Sequence, residues 1–107
     1  MRQIHVVIRR INPAFKIDLI QVGYIKDGQF VQLSLDTLDC PPLAPFIEHS
    51  SISDSYYIEH SSIPRLIEAL TLYLNFAVDF FDNTLVLMFD FNLDHNESSS
   101  KEEGKGN

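Results

Sequence analysis

The side chains best suited to chemistry in this chain are four histidines, one cysteine and an excess of carboxylates. His49 and His60 occupy the same place in two copies of one hexapeptide, Ile-Glu-His-Ser-Ser-Ile. If the two copies formed a hairpin, both imidazoles would converge with the carboxylates of Glu48 and Glu59. That donor set suits zinc or a similar ion. It defines one alternative function, a small metal-binding protein or enzyme.

Other catalytic signatures are missing from the sequence. Gly23 and Gly28 are the only glycines before residue 100, so neither a phosphate-binding glycine loop nor a glycine-flanked serine nucleophile is present. Cys40 stands in a proline-rich stretch with no base beside it, which favours a small buried or half-buried thiol over a nucleophile. The sequence therefore predicts a protein that is not an enzyme and that uses no cofactor.

Charge is distributed unevenly along the chain. The formal net charge is −7, from 8 Lys and Arg against 15 Asp and Glu. Residues 1–26 have a balance of +4, whereas residues 27–97 carry one basic and twelve acidic side chains. A field of that sign repels phosphate and attracts basic surfaces. We therefore expect no direct binding to nucleic acid, and we expect a partner protein with a basic surface.

Cysteine content and hydropathy indicate the cellular compartment of the protein. A single cysteine excludes an internal disulfide, which suits a reducing environment. The first residues hold too short an apolar run for a signal peptide, and no stretch reaches the roughly 18 apolar residues of a membrane span. These features predict a cytoplasmic protein that does not bind membranes.

Three strands are predicted before residue 40 and one after residue 80. Alternating apolar residues indicate strands over 3–10 and 84–93. The apolar runs 15–25 and 29–36 are joined by Lys-Asp-Gly, a strong hairpin signal because glycine accepts the positive φ of the turn. In the first of these runs the apolar parity switches near Leu19, which predicts a bulge or burial on both faces.

One helix is predicted over residues 63–81. Ser61 or Ser62 suits the N-cap, and Pro64 suits the first turn. Apolar side chains recur at helical spacing at Ile63, Leu66, Ile67, Leu70, Leu74, Ala77, Val78 and Phe81. The proline-containing segment 37–62 is then a long connection, with a short edge strand near Tyr56 and Tyr57.

The predicted fold class is α+β. An antiparallel sheet of about four strands, in the order β-β-β-loop-α-β, carries the main helix on one face. Residues 1–94 form a single domain. Residues 95–107 contain no apolar side chain and are predicted to be a disordered tail.

The predicted helix is more apolar than one buried stripe requires. With Leu70 at the centre of the core face, a second apolar flank forms on the helical wheel. An apolar flank with an acidic rim is typical of a docking surface, unless the loop 37–60 folds back to cover it. The residues predicted to bind a partner are Glu68, Leu72, Asn75, Phe76, Asp79 and Tyr57.

Charge and hydropathy together predict a small acidic protein-binding module. Its fixed carboxylates would mimic a polyanion and mask a basic, nucleic-acid-binding surface, as an inhibitor or an immunity-type protein does. The alternative is an assembly subunit or homodimer that buries the apolar helix flank. The third hypothesis is the metal-binding protein or enzyme that uses His49 and His60.

Overall fold

The computed structural model describes residues 1–93, and a seven-stranded antiparallel sheet forms its centre. The strands are β1 (Arg2–Arg9), β2 (Ile17–Lys26), β3 (Gln29–Gln32), β4 (Glu48–Ser50), β5 (Ser55–Glu59), β6 (Ala77–Phe81) and β7 (Thr84–Phe91). In this range the α-helix is α1 (Ile63–Leu70), and 3₁₀ turns cover Ala44–Phe46 and His60–Ser62. No helix within residues 1–93 has the length and apolar character to cross a membrane. The predicted tail, 95–107, lies outside the described residues.

The strands follow the order β4-β5-β2-β1-β7-β6. β5 pairs with the start of β2 and β3 pairs with its end, so both lie along the same edge of β2. The register between β1 and β2 runs without interruption from His5–Gly23 to Arg9–Leu19. The bulge predicted near Leu19 is therefore not formed, and Leu19 is exposed on the face opposite the core.

Two hairpins are closed by two-residue turns with positive φ at both positions. Asp27 and Gly28 have φ values of 52° and 77°, and Asp82 and Asn83 have values of 48° and 60°. This is the pattern of the type I′ turn, whose twist matches that of the flanking strands. The first turn confirms the predicted β2–β3 hairpin. The second joins β6 to β7, where the sequence predicted the end of a helix.

The predicted α+β fold with about four strands is wrong, because most of the described chain is antiparallel sheet. The helix ends at Leu70, and residues 77–81 form strand β6 instead of its last turns. Apolar residues in 77–81 satisfy a period of two as well as helical spacing, so either element fits their pattern. All five residues pair with β7, and this pairing selects the strand over the helix. Asn75, at φ 58°, helps to turn the chain back toward the sheet.

The segment predicted as a long connection contains two strands, β4 and β5. The expected strand at Tyr56 and Tyr57 is confirmed, although β4 covers its outer side. The two hexapeptide copies adopt different structures in this region. The first copy supplies β4 and enters a turn, whereas the second ends β5 and continues into a 3₁₀ turn and α1. Tertiary pairing, and not the local sequence, therefore selects the conformation of each copy.

The core lies on one face of the sheet. Alternate residues of the central strands point into it, and α1 and residues 40–43 cover it from the other side. Its buried side chains include Ile4, Val6, Ile8, Ile20, Val22, Leu43, Ile58, Leu66, Leu70, Leu87 and Phe89. Within residues 1–93 no helix covers the opposite face, where Val7, Val86 and Met88 are only half-buried.

Candidate functional site

The residues predicted to bind a partner are spread over several elements instead of one helix flank. Glu68 lies on α1, and Leu72 follows the helix with its side chain exposed. Phe76 lies outside α1 and packs against the core. The continuous flank predicted on the sequence is therefore absent, because the helix that would display it ends at Leu70.

The other three predicted residues lie on or beside the sheet. Asn75 Nδ2 donates to Asp90 Oδ2 at 2.7 Å, just before β6. Asp79 is exposed in β6 itself, whereas Tyr57 is half-buried in β5. Because β2, β1 and β7 separate β5 from β6, Tyr57 and Asp79 cannot belong to one compact patch. Whether any of the six residues contacts a partner stays a prediction.

The two repeat histidines do not converge. His49 lies opposite Tyr56 in the β4–β5 register, and its Nε2 is 3.0 Å from Asp54 Oδ1. Glu48 pairs with Tyr57, and Glu59 pairs with β2. Within residues 1–93, no group of three or more His, Cys, Asp or Glu side chains is arranged to hold a metal ion.

A polar cluster around the buried Asp18 carboxylate joins three residues that are far apart in sequence. Asp18 is 2% exposed on the core face of β2, and its Oδ2 lies 2.8 Å from His60 Nδ1. Arg10 Nη1 lies 2.7 Å from His60 Nε2. The same Nη1 lies 3.1 Å from His60 Nδ1. Because a carboxylate only accepts, Nδ1 donates to Asp18. The His60 ring therefore lies between an anion and a cation.

This cluster borders a cavity of about 210 Å³ at the end of the core. Two polar atoms of the cluster, Asp18 Oδ1 and Arg10 Nε, are buried without a hydrogen-bond partner. The residues that line the cavity are Ile8, Arg10, Asp18, His60, Ile63, Phe80, Asn83 and Leu85. On the sequence, His60 stands out only as a possible metal ligand, and Asp18 and Arg10 carry no signal, because the tertiary structure alone brings the three together.

Strand β6 forms one end of the sheet and is unusually apolar for an edge. All five of its residues are exposed, with Val78 at 49% and Phe80 at 68%. Counting from the two-residue turn, the backbone groups of Val78 and Phe80 point away from β7. The Phe80 N–H donates to the side chain of Asp79 at 2.9 Å, so one outward donor is satisfied locally.

The other end of the sheet is protected in the ways expected of an edge. β4 has only three residues, Glu48, His49 and Ser50, and all are polar. Short, polar edge strands offer little surface to another chain. Compared with β4, β6 therefore offers a further strand more apolar contact surface.

The surroundings of β6 are acidic. Residues 66–93 contain four carboxylates and no Lys or Arg. The imidazoles of His49 and His60 lie within 4.0 Å of the carboxylates of Asp54 and Asp18, away from this strand. The carboxylate of Asp79 therefore stands at this edge without a neighbouring cation from the described chain.

His5 lies on the face opposite the core and makes the fold sensitive to acid. Burial lowers the pKa of His5 below 6.5, only partly offset by its hydrogen bond with the Gln3 backbone, and its Nδ1 has no partner. The unfolded chain takes up a proton near pH 6.5 that the folded protein resists, so stability is lost as the pH falls below about 6.5. We expect His5→Gln to reduce the drop in melting temperature between pH 7.5 and 5.5. An unchanged drop would assign the acid sensitivity to other groups.

Comparisons of the chain with protein-family models, with curated proteins and with solved structures each gave no match.

Proposed function

We propose that this protein is an acidic binding module that takes up an extended, basic segment of another protein as an additional strand beside β6. The observation that carries the proposal is the apolar β6 edge in an acidic setting, beside which no other strand of residues 1–93 lies. Its outward backbone groups would supply the hydrogen bonds of a new ladder, and Val78 and Phe80 would supply apolar contact on one face.

Charge determines which partner this edge favours. Asp79 occupies the middle of the five-residue strand, where an opposing Lys or Arg would form a cross-strand pair. The net charge of −7 would also steer a basic partner toward the protein. A second copy of the chain would instead bring Asp79 against its own counterpart when β6 pairs symmetrically with β6. The edge therefore favours a foreign basic segment.

Such a module could act as an inhibitor. Basic segments that bind nucleic acid expose Lys and Arg, and pairing with β6 would cover them. This is the masking role expected from the charge distribution, with the β6 edge in place of a helix flank.

The test uses a defined peptide. A peptide of alternating valine and lysine is titrated into the full chain and followed by amide NMR, with a valine–glutamate peptide for comparison. We expect shifts along β6 with the basic peptide only, weakening as salt is raised. Val78→Pro removes an outward N–H that β7 does not use, and it should weaken binding about tenfold or more.

A matched pair of charge variants locates the effect. Asp79→Asn should lower the affinity for the basic peptide several-fold. Asp27→Asn, in the distant β2–β3 turn, should leave that affinity unchanged. The proposal fails if the peptide does not bind, if its shifts lie away from β6, or if both variants respond alike.

Self-association through the same edge is the second candidate, because Val78 and Phe80 are exposed apolar residues on a strand that pairs on one side only within residues 1–93. Asp79 would oppose it through like-charge repulsion. We therefore expect a monomer by light scattering, and we expect Asp79→Val to produce dimers or larger species at high concentration. A stable dimer of the unaltered protein, dissociated by Val78→Pro, would make the homodimer the better description.

A further inference from the structure

The cavity beside β6 lies where the core face of the sheet meets its exposed edge, and its accessible walls are mostly apolar. Its volume is about 210 Å³. A protein cavity of about 150 Å³ can hold benzene, so this one has room for a large apolar side chain. The apolar side chains that line it come from β1, α1, β6 and β7, and they are Ile8, Ile63, Phe80 and Leu85.

Phe80 connects this cavity with the edge at which a strand would be added. Its side chain lines the cavity, yet it is 68% exposed. In the β6–β7 register Phe80 pairs with Leu85, and Val78 pairs with the buried Leu87, so both β6 side chains lie on the core face of the sheet. Val78 lies opposite Leu87 and outside the cavity. The two exposed apolar residues of this edge therefore differ, because only Phe80 borders empty space.

An antiparallel strand added to β6 would place its side chains in a defined order. Antiparallel addition continues the pairing that β6 already makes with β7. Because side chains alternate along a strand, the partner residue opposite Asp79 faces away from the core, and its two neighbours lie opposite Phe80 and Val78 on the core face. Directly opposed side chains have Cβ atoms about 5 Å apart, so a long side chain opposite Phe80 would reach past its ring toward the cavity.

We infer that the segment bound at β6 carries a large apolar residue, leucine or phenylalanine, immediately before the basic residue that faces Asp79. This inference rests on strand addition at β6, and it names the sequence that the edge selects. The apolar side chain would cover the ring of Phe80 and fill the space between Phe80 and Ile63. The order follows from antiparallel pairing, in which the partner residue opposite Phe80 precedes the one opposite Asp79.

Apolar burial and charge select different residues of such a segment. Asp79 selects a cation on one face of the added strand by charge. On the other face, a valine opposite Phe80 would leave the cavity empty, whereas a larger side chain would remove more apolar surface from water. The cavity already exists in the free protein, so filling it also restores contacts that its lining atoms lack.

Two peptides of the same composition and charge test this order. With the central lysine opposite Asp79, Lys-Phe-Lys-Val-Lys places its phenylalanine opposite Phe80, and Lys-Val-Lys-Phe-Lys places it opposite Val78. Both peptides, with acetylated and amidated ends, are titrated into the full chain at pH 7 and followed by amide NMR. We expect the first to bind about five- to tenfold more tightly. Intermolecular NOEs should connect its phenylalanine ring with the methyl groups of Ile63.

Two leucine-sized residues provide a matched pair of variants. Ile63 lines the cavity, whereas Leu72 is 85% exposed and outside it. Ile63→Phe fills the cavity from α1, and we expect the two peptides to bind this variant within about twofold of each other. Leu72→Phe should retain the full preference. Because the measured quantity is the ratio of two affinities within each variant, a general loss of stability does not affect the comparison.

The possible failures of this proposal and of strand addition are distinct. If both peptides shift the β6 amides with equal affinity, if the ring contacts lie away from Ile63, or if Ile63→Phe retains the preference, the inferred order is overturned and strand addition at β6 still stands. If neither peptide shifts the β6 amides, strand addition itself fails, and the inferred order fails with it.

Discussion

His60→Ala is expected to lower the free energy of unfolding by about 2–3 kcal/mol, far more than the same change at His49. His60 Nδ1 is the hydrogen-bond donor to the buried Asp18 carboxylate, and its loss leaves that anion without a partner in the core. His49 contacts Asp54 on the surface, where such a pair contributes well under about 1 kcal/mol. The two histidines have the same sequence neighbours, although His49 lies in β4 and His60 in a 3₁₀ turn.

Urea denaturation of the two single variants measures the difference in their free energies of unfolding. This difference is obtained from the denaturation midpoints, when the slope of the free energy against urea concentration is unchanged. A double variant, Asp18→Leu with His60→Ala, should recover part of the loss, because it removes the buried charge together with its donor. Equal destabilisation by His60→Ala and His49→Ala would show that Asp18 does not depend on His60 for its burial.

The Cys40 thiol is expected to react about a thousand-fold more slowly in the folded protein than in the unfolded chain at pH 8. Cys40 is 3% exposed, and this burial raises the pKa of its thiol from 9.0 to about 12; the backbone hydrogen bond with Leu43 lowers the pKa, and nearby Asp39 raises it further. The thiolate is the reactive form, so a rise of this size removes nearly all of it. Of the buried or half-buried positions expected from the sequence, Cys40 occupies a buried one.

A chromogenic disulfide reagent measures both rates, with and without guanidinium, and the single cysteine assigns the signal without ambiguity. The native rate should rise only under conditions that open the fold. A native rate within about tenfold of the unfolded rate would place the thiol at an accessible position and contradict its role in the core.

Strands with one dominant period could be predicted from the sequence. β1 and β7 alternate cleanly, and the Asp27-Gly28 turn identifies the β2–β3 hairpin, because these signals depend on neighbouring residues alone. Residues 77–81 satisfy two periods at once. Their conformation depended on pairing with β7, which no local pattern contains.

The candidate sites were harder to predict for the same reason. The acidic balance around β6 can be read from the sequence, but the edge cannot, because strand order is a property of the whole sheet. Arg10, Asp18 and His60 are separated by up to 50 residues, and neither of the first two has a motif that would single it out.

The sequence by itself determined the charge distribution and the clear strands, since these follow from composition and short-range periodicity. Only the tertiary structure decided that β6 is a strand, that it lies at an open edge, and that Asp18 shares a cavity with Arg10 and His60. The physical reason is that sheet pairing brings together residues distant in the chain, and it overrides local preference where a segment suits two elements.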